Sequence, residues 1–286
     1  MTPSLRRLPL IVFVLVVVLL VPATPAAAGA AATGGRGGDQ SSAVVLDWER
    51  TSIRTIFTEN ATPIPVGPLY LGFTSLAMYR ATQAAGRHAS AEAAAATAAH
   101  DVLLAYFPDS RVKLHADLTA SLARVPDGKA EQRGQQAGAR VAADLIASRV
   151  GDGRNDTTIA YTRTAAPGVW PAAPMPGGML VPWLGFVKPL MLRQPIDPPG
   201  VDGPPPLSSA RQALEFNEVK RLGSEGSTAR SEHQTYTAQF FNSNSAIMIS
   251  EGLLSYLDAR PMRLAGTARL FAAAHTAMGD AVITCW

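Results

Sequence analysis

The sequence predicts an all-α protein, a helical bundle interrupted by one long Pro-rich irregular arm. Three observations carry that prediction. Apolar and alanine residues recur at helical spacing through most of residues 44–153 and 208–286, and alanine both favours the helix and lets neighbouring helices approach closely. No segment alternates apolar and polar residues with β-branched enrichment over the length of a strand. Twelve of the chain's 22 prolines fall between Asp156 and Leu207, where the missing amide and the ring clash rule out a long helix.

The elements follow in chain order. Arg6 and Arg7 precede an apolar run from Leu8 to Val21, then Pro22, Pro25 and Ala26-Ala27-Ala28. A charged n-region, a short h-region and a small-residue cleavage site predict a signal peptide over residues 1–28. The run is shorter than the about 20 apolar residues a span requires. The chain is therefore expected to be exported, extracellular or in the cell envelope, with no stable membrane span after cleavage. Residues 29–43 begin GAAATGGRGGDQSS and read as a flexible linker. These glycines neither follow a strand nor open a helix, which excludes a phosphate-binding loop.

Residues 44–153 read as an N-terminal helical region. Val45-x-x-Trp48 and Ile53-x-x-Ile56-Phe57 give a first amphipathic stretch, and Leu69 to Ala85 a second. The Ala-rich third runs from Ser90 to Phe107 and is closed by Pro108; the fourth, Val112 to Val125, is closed by Pro126. The fifth, Lys129 to Val150, ends at Gly151-Asp152-Gly153, a C-cap signal. Residues 154–207 form the Pro/aromatic-rich arm. Trp170, Trp183, Leu184, Phe186 and Leu190 are too apolar for a solvated tail, so they predict an arm pinned over the bundle. In residues 208–286 helices resume at Ser208, again from Ser227 or Thr228 with Glu232 in the first turn, and finally from about Met262.

Charge and cysteine usage exclude some classes. Of three excess positive charges, Arg6 and Arg7 supply two, so the chain from Gly29 onward carries 3 − 2 = +1. No Lys/Arg cluster supports a nucleic-acid partner. Cys285 is the only cysteine, so no intrachain disulfide forms.

The search for chemistry returns no catalytic, cofactor-binding or metal-ligating residue. The five histidines are His88, His100, His115, His233 and His275, without HExxH or His-x-His spacing. There is no GxSxG elbow and no Walker loop. His275 lies on the stripe Leu264, Ala268, Phe271, His275, Met278, Val282, Cys285, one face of a helix; it reads as a packed core residue with one hydrogen-bond partner. His100-Asp101 and Arg230-x-Glu232-His233 read as helix-surface or capping groups. Asn60-Ala-Thr62 and Asn155-Asp-Thr157 match the glycosylation pattern.

The order of short motifs carries a resemblance. Asp47-Trp48-Glu49 is followed by Leu76-Ala77-Met78-Tyr79, then Leu103-Leu104-Ala105-Tyr106-Phe107-Pro108 and Arg149-x-x-Asp152-Gly153. Pro167-Gly168-x-Trp170, Val181-Pro182-Trp183, Pro205-Pro206-Leu207-x-Ser209, Glu218-Val219-Lys220-x-Leu222-Gly223-Ser224 and Arg230 complete the series. In that order residues 44–286 resemble the N-terminal half of exported bacterial vanadium-dependent haloperoxidase-like proteins, of the type 2 phosphatidic acid phosphatase superfamily. Ala77-Met78-x-x-Ala81 and Ala277-Met278-x-x-Ala281 echo each other; in the family such helices begin two halves of a bundle, the second carrying the chemistry. Arg80 departs from the acidic residue that relatives often have there.

The resemblance implies that a helix like Arg269 to Trp286 continues into Lys, Arg-Pro, a Pro-Ser-Gly-His loop and an Arg…His pair. Cations and amides there neutralise vanadate or phosphate, and histidines bond to the central atom or move protons. Those motifs are absent; Arg260-Pro261 is the only Arg-Pro pair, and Leu253 stands where its Lys would fall. The expectation is a truncated, non-catalytic portion, incomplete relative to the family fold. Vanadate, or phosphate as substrate, belongs to the complete family protein, whose activity is peroxide-dependent halide oxidation or phosphoester hydrolysis. The apolar segment Met262 to Trp286 predicts self-association. The alternative is an exported helical binding or scaffold protein without enzymatic activity.

Overall fold

Trp48, at the centre of the first helix, is buried together with Val44, Val45 and Leu46, and that apolar face sets how α1 (Ala43–Ile53) lies. The computed structural model describes residues 41–170, 178–194 and 203–286. The signal peptide expected at 1–28 lies outside the described residues, as does the linker except for its last three positions. All described elements belong to one unit, Asp39–Trp286. Among the described residues the secondary structure is helical, with no strand, as the sequence predicts.

α1 runs directly into a π-helical turn, Arg54–Glu59. α2 (Gly67–Ala84) follows, with Pro68 in its first turn, where a missing amide costs nothing. α3 (Ala91–Tyr106) starts at Ser90, whose side chain accepts from the Ala93 amide. A 3-10 turn at Pro108–Ser110 leads to α4 (Arg111–Leu122), and α5 spans Lys129–Ser148.

Packing concentrates in three pairs: α2 with α9 (Leu264–Cys285), α3 with α5, and α2 with α3. α2 is buried on nearly every side. α3 presents Ala93, Ala94, Ala96 and Thr97 to its neighbours, and α5 answers with Gly134 and Gly138. A Cβ at Gly138 would collide with the Ala94 carbonyl, and one at Gly134 with the Ser90 carbonyl. Bare glycine lets the two backbones touch.

Residues 208–286 depart from the sequence expectation. α6 (Ala210–Gly223) begins as expected, with Ser209 capping it. α7 (Glu232–Phe241) starts later than Ser227, because Ser231 and Gln234 form a capping box that places the first turn. A further helix, α8 (Ser245–Ala259), was not foreseen; Asn244 accepts from the Ala246 and Ile247 amides and opens it. Neither α6 nor α7 has a buried residue.

The arm is pinned, but by fewer anchors than expected. Trp183, Leu184 and Val187 are buried, around a 3-10 turn at Leu184–Phe186. Phe186, at 70% exposure, and Trp170, at 45%, are not. Trp170 instead packs edge-on against Tyr161, whose hydroxyl donates to the Trp170 carbonyl. Among the described residues no helix is long and apolar enough to cross a membrane.

Candidate functional site

α2 and α9 run antiparallel through the middle of the bundle: a Cβ on Gly72 would press on the His275 carbonyl, and one on Gly279 would approach that of Pro68. Between the two helices lies a polar knot. Ser75 Oγ is 2.7 Å from Glu49 Oε1 on α1, 2.7 Å from His275 Nδ1 and 2.9 Å from the Leu71 carbonyl. His275 Nε2 is 3.0 Å from Ser250 Oγ on α8, and Ser250 in turn donates to the Ala246 carbonyl at 2.7 Å. Glu49, Ser75, Ser250 and His275 are all fully buried. Four helices meet at this one imidazole.

Burial fixes the protonation. It raises the Glu49 carboxyl from 4.5 to about 8, against the opposing pull of the Ser75 hydrogen bond. Burial also lowers His275 from 6.5 to about 3. Both groups are therefore neutral near pH 7, which spares a dry interior two unsolvated charges. One hydroxyl proton cannot serve all three neighbours of Ser75, so the imidazole tautomer sets which of them it reaches. Ser75 Oγ is shared between Glu49 Oε1, the Leu71 carbonyl and Nδ1, and Ser250 Oγ between the Ala246 carbonyl and Nε2. Glu49 Oε2 has no hydrogen-bond partner although it lies 3.4 Å from Nδ1.

A second polar cluster ties the arm to the bundle. Asp280, buried on α9, accepts from the amides of Leu190, Met191 and Leu192 at 2.5, 2.9 and 2.9 Å. Arg149 at the end of α5 donates to Asp152 at 2.8 Å and to the Pro189 and Lys188 carbonyls. The Lys188 amide closes the staple on the Asp152 carbonyl at 2.7 Å. Gly153, at φ +92, lies against the Phe186 carbonyl. The motif Arg149-x-x-Asp152-Gly153 thus serves as a structural clasp.

The remaining histidines divide. His88 and His233 are exposed. His100 is not the helix-surface group its spacing suggests; it is buried, Nδ1 2.7 Å from Asp101 and Nε2 2.8 Å from His115 Nδ1. α3 and α4 cross there, so the alanines around His100 bring a neighbour over it. Arg230 is a capping group as expected: it donates to the Leu222, Ser224 and Glu225 carbonyls at the C-terminal end of α6. Asn60 of the glycosylation pattern spends its amide on the Thr55 carbonyl and Ser110. Among the described residues no group of three or more His, Cys, Asp or Glu could hold a metal.

The stripe assigned to α9 holds except at its last position: Leu264, Ala268, Phe271 and His275 are buried and Met278 and Val282 pack half-buried against the core, whereas Cys285 is exposed, and Thr276, Gly279, Asp280 and Ile283 are buried beside the stripe. His275 is a packed core residue with two hydroxyl partners instead of one. Glu49 was missed, yet its signal was present: a carboxylate between Val45, Trp48 and Ser52 on the apolar face of α1. No known protein family, curated protein or solved structure matches the chain.

Proposed function

We propose that this chain is the helical framework, without turnover of its own, of an exported protein of the haloperoxidase and acid-phosphatase-like kind. The observation that supports this reading most is the central pair. The two helices that share Ala-Met-x-x-Ala, α2 and α9, are the most extensively packed partners and run antiparallel around the His275 knot. An echo expected of two halves of one bundle thus falls on the two helices at its axis. The knot serves to position helices: Glu49 and His275 are fully buried and neutral, so neither reaches a substrate. The parent chemistry, halide oxidation by peroxide on vanadate or phosphoester hydrolysis, rests on motifs this sequence does not contain.

The test is to assay the purified chain for vanadate-dependent bromination and for phosphatase turnover, alone and mixed with the separately expressed catalytic half of a haloperoxidase. The expected result is no turnover alone and a stoichiometric complex in the mixture. Turnover by the chain itself that disappears in one His→Ala variant overturns the reading. A second reading, a helical binding or scaffold protein, draws on α6 and α7, whose Leu214, Phe216, Val219, Tyr236, Phe240 and Phe241 are exposed. Absence of any complex with the catalytic half would move that reading ahead.

A further inference from the structure

Beside the Arg149 clasp an open cleft of about 380 Å³ lies between the ends of α3 and α5. Its floor is Arg154, a guanidinium only 10% exposed. Arg154 sits over the rings of Tyr106, Phe73 and Tyr70, at 4.6, 4.9 and 5.6 Å from their centres. Arg149, equally buried, shares a single carboxylate with it, that of Asp152. Two desolvated guanidiniums therefore face one carboxylate. The carbonyl end of α5 offsets part of the surplus, since Arg154 Nη2 donates to the Arg149 carbonyl at 3.3 Å. A helix terminus supplies only about half a charge, so a positive remainder is left in a place where water screens it poorly.

The hydrogen-bond inventory locates that remainder. Arg149 spends all three nitrogens, on Asp152, Pro189 and Lys188. Arg154 spends Nε on Asp152 and Nη2 on the Arg149 carbonyl and the Tyr106 oxygen. Nη1 of Arg154 has no acceptor among the described residues, and it is not one of the sealed, unpaired atoms. The Tyr106 hydroxyl accepts from Arg154 but donates to nothing described, and neither the Tyr70 hydroxyl nor the Asn155 amide has a partner there. All four groups line the cleft, alongside the apolar Ile146 and Val150.

We infer that this cleft binds a small organic anion: a carboxylate or phosphate head held by Arg154 Nη1 and the phenol donors of Tyr70 and Tyr106, with its hydrocarbon body against Ile146 and Val150. A charge-assisted hydrogen bond to a desolvated guanidinium is the strongest polar contact such a site can offer. The space is within the range of small-molecule pockets. The inference is independent of the chain's parent activity, because the cleft shares no residue with the His275 knot.

Calorimetric titration of the full chain with benzoate, phenyl phosphate, inorganic phosphate and benzyl alcohol tests it. The expected result is 1:1 binding of benzoate or phenyl phosphate, whichever head is preferred, with inorganic phosphate about tenfold weaker and benzyl alcohol undetectable. Arg154→Gln should abolish binding, and Tyr70→Phe and Tyr106→Phe should each weaken it about fivefold, the loss of one hydrogen bond. Equal binding of benzoate and benzyl alcohol removes the anion claim; equal binding of the two phosphates removes the apolar half. Where Arg154→Gln fails to fold, the Tyr70→Phe/Tyr106→Phe double variant decides, since it keeps the rings beneath the guanidinium. Unchanged affinity in that variant overturns the site.

Discussion

The helices of residues 43–148 and those of residues 210–241 invert each other's properties. α2 has no side-chain cap at its start and neither does α5, yet both are locked into the bundle. α6 and α7 have good local chemistry, a Ser209 cap and a full Ser231/Gln234 capping box, yet bury nothing. Capping decides where a helix begins; small residues decide what it can touch. α5 meets α3 because Gly134 and Gly138 strip its contact face to backbone, whereas α6 and α7 carry Leu214, Phe216, Tyr236 and Phe240 outward with nothing described to receive them.

The largest effect that could break this contrast is at Gly138. Gly138→Val forces a side chain into the Ala94 carbonyl, which cannot move without its helix, and should cost about 3 kcal/mol in chemical denaturation. A near-neutral result would mean that α3 and α5 are not held backbone to backbone. Next is Asp280→Ala, which strands three amides of the arm; about 2–3 kcal/mol is expected, with faster proteolysis near residues 190–192. Loss of stability without faster cleavage there would show that the arm is held by other contacts.

The knot gives a pH signature of middling size. Below pH 6.5 the unfolded chain protonates His275 while the folded chain, at about 3, does not, so stability falls as pH drops. Above pH 4.5 the unfolded chain ionises Glu49 while the folded chain holds its proton to about 8, so stability falls as pH rises. Between about pH 4.5 and 6.5 the two slopes cancel and a plateau is expected, with about 1 kcal/mol lost from pH 6.5 to 8. Glu49→Gln should erase the alkaline decline and leave the acid one. Its persistence would place the ionisation elsewhere.

Smaller effects sharpen the other side of the contrast. Gly252→Ala on α8, where a Cβ meets open space, should stabilise by about 1 kcal/mol, the opposite sign to Gly138. Ser231→Ala should remove about 1 kcal/mol from α7 alone, seen as faster amide exchange in residues 232–241 with the main thermal transition unmoved. A shifted main transition would show that α7 is coupled to the bundle after all.

Helix existence was readable because its determinants are local: Ser90, Pro108 and Gly151 mark ends within a turn of where they act. α8 escaped because Asn242-Ser243-Asn244 lies inside an apolar stretch that looks continuous. The knot was half readable. His275 announces itself on an apolar face, but its partners Glu49, Ser75 and Ser250 lie on three other helices, and only packing brings them together. Trp170 and Phe186 misled for a related reason, since hydrophobicity indicates a tendency to be covered and not which surface does the covering.

The separations along the chain have a kinetic consequence. Ser75 and His275 are 200 residues apart, whereas the α3–α5 contact joins Ala94 to Gly138. Closing the longer loop costs about 1.3 kcal/mol more entropy, close to a tenfold handicap in rate. α3 and α5 should therefore pair first on refolding, with α9 docking last and the imidazole sealed only in the final step. Until then α2 waits with the side that α9 covers exposed, which makes the interval before α9 arrives the moment at which this chain is most prone to aggregate.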